Sequence, residues 1–151
     1  MNIVELSEKN LAEAKNLFYL AKGDFYKALG EDVREADIGK VLRTDEDSAN
    51  TYMLADKGVY QCLVTVSKPT SSIINLWINF DLVEEQYLSK FMEFVIKQFS
   101  AITLVFINVD STDYKTTHLI EDYGFEYTGE QHYVDKEKNL LTFRYVYKRK
   151  K

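Results

Sequence analysis

A chain of 151 residues that is 46% hydrophobic, with 11 Tyr and 9 Phe, has the size and apolar content of one domain with an ordinary core, which excludes a disordered segment. A net charge of −5 excludes a general nucleic-acid binder, because neutralising phosphates takes a basic face. No apolar run approaches the roughly 18–20 residues of a membrane span, and Met1-Asn2-Ile3-Val4-Glu5 lacks the basic and then apolar start of a secretory signal, so no membrane partner and a cytoplasmic address are expected.

In chain order, Asn2–Leu6 alternates as a strand does, and Asn10 with Glu13 three residues on predicts a helix cap. Leu11, Ala14, Leu17, Phe18 and Ala21 keep helical spacing up to Gly23. Gly23 and Gly30 bracket a short helical turn over 24–29, and a second helix is expected around Asp32–Arg43 with Val33, Ala36, Val41 and Leu42 inward. Asp45-Glu46-Asp47 reads as a loop. Thr51–Ala55, Val59–Val66 and Ser72–Phe80 then form an antiparallel meander, separated by the turns Asp56-Lys57-Gly58 and Lys68-Pro69-Thr70. The one cysteine, Cys62, lies in the second of these strands, which rules out a disulfide within the chain and predicts a buried, reduced thiol.

From Val83 to Phe99 the period becomes helical, with Leu88, Phe91, Met92, Val95 and Phe99 in one stripe. Ile102–Asn108 is continuously apolar, as in a strand buried on both faces. A helix over Ser111–Tyr123 should end at Gly124, and Phe125–Asp135 and Leu140–Lys148 should pair through the polar turn Lys136–Asn139. Lys148-Arg149-Lys150-Lys151 ends the chain as a solvated positive cluster. His118 and His132 lack metal-ligand spacing with each other or with Cys62, so no metal site is expected. Trp77 reads as packing, and Phe143, Tyr145 and Tyr147 share one strand face: a homodimer or partner surface if exposed, core if covered.

The order β-α-α-β-β-β-α-β-α-β-β describes a single α/β domain over residues 1–151, one mixed sheet with helices on both faces. With the local run Asp122-Tyr123-Gly124-Phe125-Glu126-Tyr127-Thr128-Gly129-Glu130, it resembles the GNAT superfamily of acyl-CoA-dependent N-acetyltransferases over essentially the whole chain. The resemblance implies acetyl-CoA as cosubstrate, an acceptor that is a small-molecule or protein primary amine, and a cleft where the strand Ser72–Phe80 splays from the next. It implies coenzyme contacts at Ile78, Phe80, Gln86, Ser89 and Lys90, with the pyrophosphate on the amides opening the Val83–Phe99 helix.

The family pattern at that turn is Gln or Arg, two residues, Gly, one residue, then Gly or Ala. Gln86-Tyr87-Leu88-Ser89-Lys90-Phe91 departs from it at Ser89 and Phe91. Glu84 and Glu85 add carboxylates, and one about 6 Å from a phosphate costs on the order of 1–3 kcal/mol. The tyrosine that in the family protonates the departing thiolate falls on Ile120, with Tyr114 and Tyr123 flanking it; Tyr123 is the catalytic candidate there. Asp81, at the end of the splayed strand, is the candidate base, with Asn79 and Glu84 as alternatives. Asp24, Tyr26, Glu31 and Asp32 are the candidates for receiving a cationic amine.

Overall fold

The computed structural model describes residues 1–99, 101 and 104–149. Strand β1 (Asn2–Glu5) leads to helix α1 (Leu11–Leu29), and a short helix α2 (Ile38–Leu42) precedes the meander β2 (Ala49–Asp56), β3 (Val59–Ser67) and β4 (Ser72–Ile78). Then come α3 (Glu85–Lys97), β5 (Leu104–Asp110), α4 (Tyr114–Asp122), β6 (Glu126–Asp135) and β7 (Leu140–Lys148). The strands form one seven-stranded sheet in the order β1-β2-β3-β4-β5-β7-β6, antiparallel everywhere except between β4 and β5.

Two apolar layers sandwich the sheet. On one face α1 and α2 bury Ala14, Leu17, Phe18 and Leu42 against Met53, Leu63 and Trp77. On the other, Phe91, Met92, Val95 and Phe99 of the α3 stripe join Leu119 and Ile120 of α4 over Val64, Val66, Ile73, Leu76 and Ile78. Cys62 is fully enclosed in this second layer, and its burial pushes the thiol up to about 12.

The helical hairpin differs from its sequence reading in three ways. Gly23 does not divide α1, because a single helical glycine costs only about 1 kcal/mol and the helix beyond it buries Phe25. The helix ends instead at Gly30, whose φ of +80° lets its amide and that of Glu31 turn back to Lys27 and Tyr26. Asn10 stands at the N-cap position of α1 as expected but makes no side-chain capping bond: its side chain accepts from the Ser7 amide and donates to the Glu5 carbonyl, closing the turn before the helix.

The expected helix over 32–43 is reduced to a single 3-10 turn and the short α2, since Asp32 and Asp37 each cap a separate start and Ala36 between them is extended.

Strand β5 is not buried on both faces. Val105, Ile107 and Val109 are buried, whereas Leu104 and Asn108 are exposed and Phe106 is covered only in part, its ring lying 4.3 Å from the Arg144 guanidinium. Residues 102 and 103, which the sequence reading placed in this strand, and residues 150 and 151 of the basic tail lie outside the described residues. Phe143 and Tyr147 are half-buried and Tyr145 is buried, all packed on the second layer, so that aromatic face is core.

Candidate functional site

The site begins with a defect in β4. Thr65 pairs with Asn75 and Val66 with Ile73, so Ile74 is an extra residue with no partner on β3. The bulge reverses the side-chain alternation: Ile73 before it and Leu76 and Ile78 after it reach the same apolar layer, while Trp77 turns to α1. The pairing on the other side stops at the same point. Strands β4 and β5 are registered at Ser72 with Phe106 and at Ile73 with Ile107, and beyond those pairs they diverge.

Divergence leaves a backbone edge without a neighbouring strand. The Asn79 amide donates to the Gln61 carbonyl at 2.8 Å, so period-two alternation aims the backbone groups of Ile78 and Leu76 the opposite way, into the gap.

The gap opens on a cleft of about 410 Å³ lined by α1 (Leu20, Ala21, Asp24), the end of β4 with the turn after it (Ile78–Asp81) and the start of α4 (Thr112–Thr116). Three carboxylates and one ammonium, that of Lys115, line it. Asp113 is committed to capping α4 through the Thr116 amide at 3.1 Å. Asp81 is exposed beside Phe80, over whose ring Lys115 sits at 5.9 Å. Asp113 and Thr116 also line a smaller inner cavity of about 40 Å³, walled by Ile74–Trp77 on one side and Ile107–Asp110 on the other.

At the inner cavity Lys22 of α1 donates to the carboxylate of Asp110 at the end of β5. The Tyr26 hydroxyl has its pKa raised by burial and by the negative charges of Glu31 and Asp110. Lys22, Tyr26 and Asp110 therefore form one polar group beneath α1.

The opening turn of α3 is different in character. Its first amides have no intrahelical partner, and the dipole there favours an anion. Yet Glu84, Glu85 and Gln86 are all exposed there, and Gln86 donates to the Glu84 carboxylate at 2.8 Å. Ser89 is half-buried, Lys90 is exposed, and Phe91 points into the core.

Of the residues singled out from sequence, Asp81, Ile78, Phe80, Asn79, Asp24 and Tyr114 meet at the cleft. Tyr123 does not line it: the residue ends α4 and packs half-buried against the apolar layer, while Ile120 is fully buried. Asp32 caps its own turn. His118 and His132 are exposed, and among the described residues no group of three metal-ligating side chains converges. Sequence reasoning missed Lys22, Asp110 and the bulge at Ile74. The alternation Val105, Ile107, Val109 carries the strand past Asn108 and would have put Asp110 at its end.

No family model and no curated protein matches the sequence. Solved structures do match the fold. The GCN5-related N-acetyltransferase from Rhodopseudomonas palustris superposes with a TM-score of 0.74 at 11% identity, over 97% of this chain and 94% of the other. The ribosomal-protein-S18-alanine N-acetyltransferase from Escherichia coli gives 0.70 at 12% identity, over 96% and 91%. The aminoglycoside 6'-N-acetyltransferase from Enterococcus faecium gives 0.67 at 9% identity, over 98% and 97%. The chain has the GNAT fold. The likeness runs over more than nine-tenths of each chain, at 9–12% identity. No helix among the described residues is long and apolar enough to cross a membrane.

Proposed function

We propose that this chain is an N-acetyltransferase that moves an acetyl group from acetyl-CoA directly to a primary amine. The observation that carries the reading is the gap between β4 and β5, whose unpaired β4 edge continues into the cleft, in a fold whose solved examples include N-acetyltransferases.

An extended chain with amide groups is the ligand such an edge suits, because it supplies the hydrogen bonds that a neighbouring strand would otherwise make. The pantetheine arm of a coenzyme is such a chain. Ile78 and Phe80 flank it in this reading, and the α3 amides near Gln86, Ser89 and Lys90 receive its diphosphate. The thioester it brings supplies the acyl group; this chain orients it and manages a proton. Asp81, exposed at the cleft, accepts the proton from the incoming ammonium, and the carboxylates of Asp24 and Asp81 favour a cation over an anion as acceptor.

The test is thiol release from acetyl-CoA across a panel of small primary amines and amino-terminal peptides. Amine-dependent release is expected, with Asp81→Asn lowering it by about 100-fold. Absence of release with every amine, together with no binding of CoA at millimolar concentration, would overturn the reading.

A second reading, a GNAT-fold binding or regulatory protein without productive coenzyme, is favoured by the opening of α3. Two exposed carboxylates stand there, one of them tied to Gln86. A partner captured without coenzyme, by a protein that releases no thiol, would select it.

A further inference from the structure

The Lys22–Asp110 pair places an amine and a carboxylate together at the inner end of the gap. Both residues line the inner cavity with Ile74–Trp77, and this cavity shares Asp113 and Thr116 with the cleft. The pair is neither a surface bridge nor sealed: the side chains are 26% and 10% exposed, and the Lys22 ammonium also lies 5.5 Å from the Phe25 ring. A ligand arm lying along the β4 edge from Ile78 inward therefore ends against a lysine amine whose hydrogen-bond acceptor is a carboxylate. A nucleophile beside a base is the arrangement that acyl transfer to an amine requires.

We propose that Lys22 is itself an acyl acceptor, modified in cis by the acyl-CoA thioester bound in the gap, with Asp110 as the base. This inference rests on the coenzyme reading above. Asp110 takes one proton from the ammonium, and the freed Nζ attacks the thioester carbonyl carbon. A nitrogen–carbon bond forms, the carbon–sulfur bond breaks, and the electron pair leaves with sulfur. The nitrogen sheds its second proton; of the two released, one ends on the coenzyme thiol and the other in solvent. The product is a neutral amide, which cannot keep the ion pair. The cavity of about 40 Å³ has room for the three heavy atoms of an acetyl group, since about 10–15 Å³ is enough to hold a water.

The experiment is peptide mass mapping of the full chain after incubation with acetyl-CoA, with coenzyme binding followed separately by calorimetry. One acetyl group is expected on Lys22, at a rate that saturates at the concentration where calorimetry saturates. The exposed Lys57 and Lys68 serve as chemical controls. Asp110→Asn should slow labelling of Lys22 by about 100-fold while leaving the controls unchanged. Lys22→Arg keeps a cation for Asp110 and should bind coenzyme without acquiring the acetyl group. Binding by calorimetry with Lys22 labelled no faster than Lys57 overturns this inference and leaves the transferase reading standing. No binding overturns both.

Discussion

Cys62 is fully enclosed between β2, β4 and the α3 layer, with its thiol held up to about 12 from an ordinary 9.0 by burial alone. The native protein should therefore resist thiol reagents near neutral pH and react only on unfolding, measurable by the rate of labelling with and without urea. The sign of its pH effect follows from the same shift. Below pH 9 the thiol is protonated in both states and costs nothing. As pH rises from 9 towards 12 the unfolded chain ionises first, so stability falls across that window by on the order of 4 kcal/mol.

The thiol's burial was legible from the sequence, because Cys62 lies in a strand with Leu63, Val64 and Val66 just after it. Asp110 was not: ending the strand at Asn108 left it in a loop, and its partner Lys22 lies 88 residues earlier, where only the sheet order brings it near. Tyr123 is the converse case. A tyrosine near the expected position was readable, but its direction depends on how α4 lies over the sheet, and that turns it to the core.

At the scale of elements, two helices carry predictions. Gly23 lies inside the continuous α1, and a Cβ added there meets nothing within 4 Å. Gly23→Ala should therefore stabilise the protein by about 0.5–1 kcal/mol, read as a higher urea midpoint with unchanged slope. An unchanged or lower midpoint would mean that the helix breaks there, as the sequence alone suggested. The other helix is α3, whose opening turn exposes Glu84 and Glu85. Replacing both with Gln should tighten acetyl-CoA binding by about fivefold per carboxylate at low salt, with the gain shrinking as salt rises. Affinity that does not move would show that these acids face away from the diphosphate.

Helical periodicity found the buried stripe of α3 because Phe91, Met92, Val95 and Phe99 repeat at the right spacing. The bulge at Ile74 had no comparable signal, since an extra isoleucine in an apolar strand looks like any other. Yet the bulge is what reverses the alternation of β4 at the point where its pairing with β5 stops.

For the molecule as a whole, element order alone was enough to place the chain in a mixed sheet with helices on both faces, and the observed strand order bears this out. What order could not show is where along the one parallel pair, β4 with β5, the strands would part. That depends on two registered pairs between strands separated by the whole of α3. The same divergence opens the cleft and exposes the β4 edge, so the candidate site is a property of the sheet as much as of any side chain.

The measurement that tests this most directly is amide hydrogen exchange across the chain with and without saturating acetyl-CoA. Added protection is expected in β4 beyond Ile73 and in the opening turn of α3, with the far strands β1, β2 and β6 unchanged. Exchange in β4 that stays the same at millimolar coenzyme would contradict the claim that the gap between β4 and β5 is an acyl-CoA site.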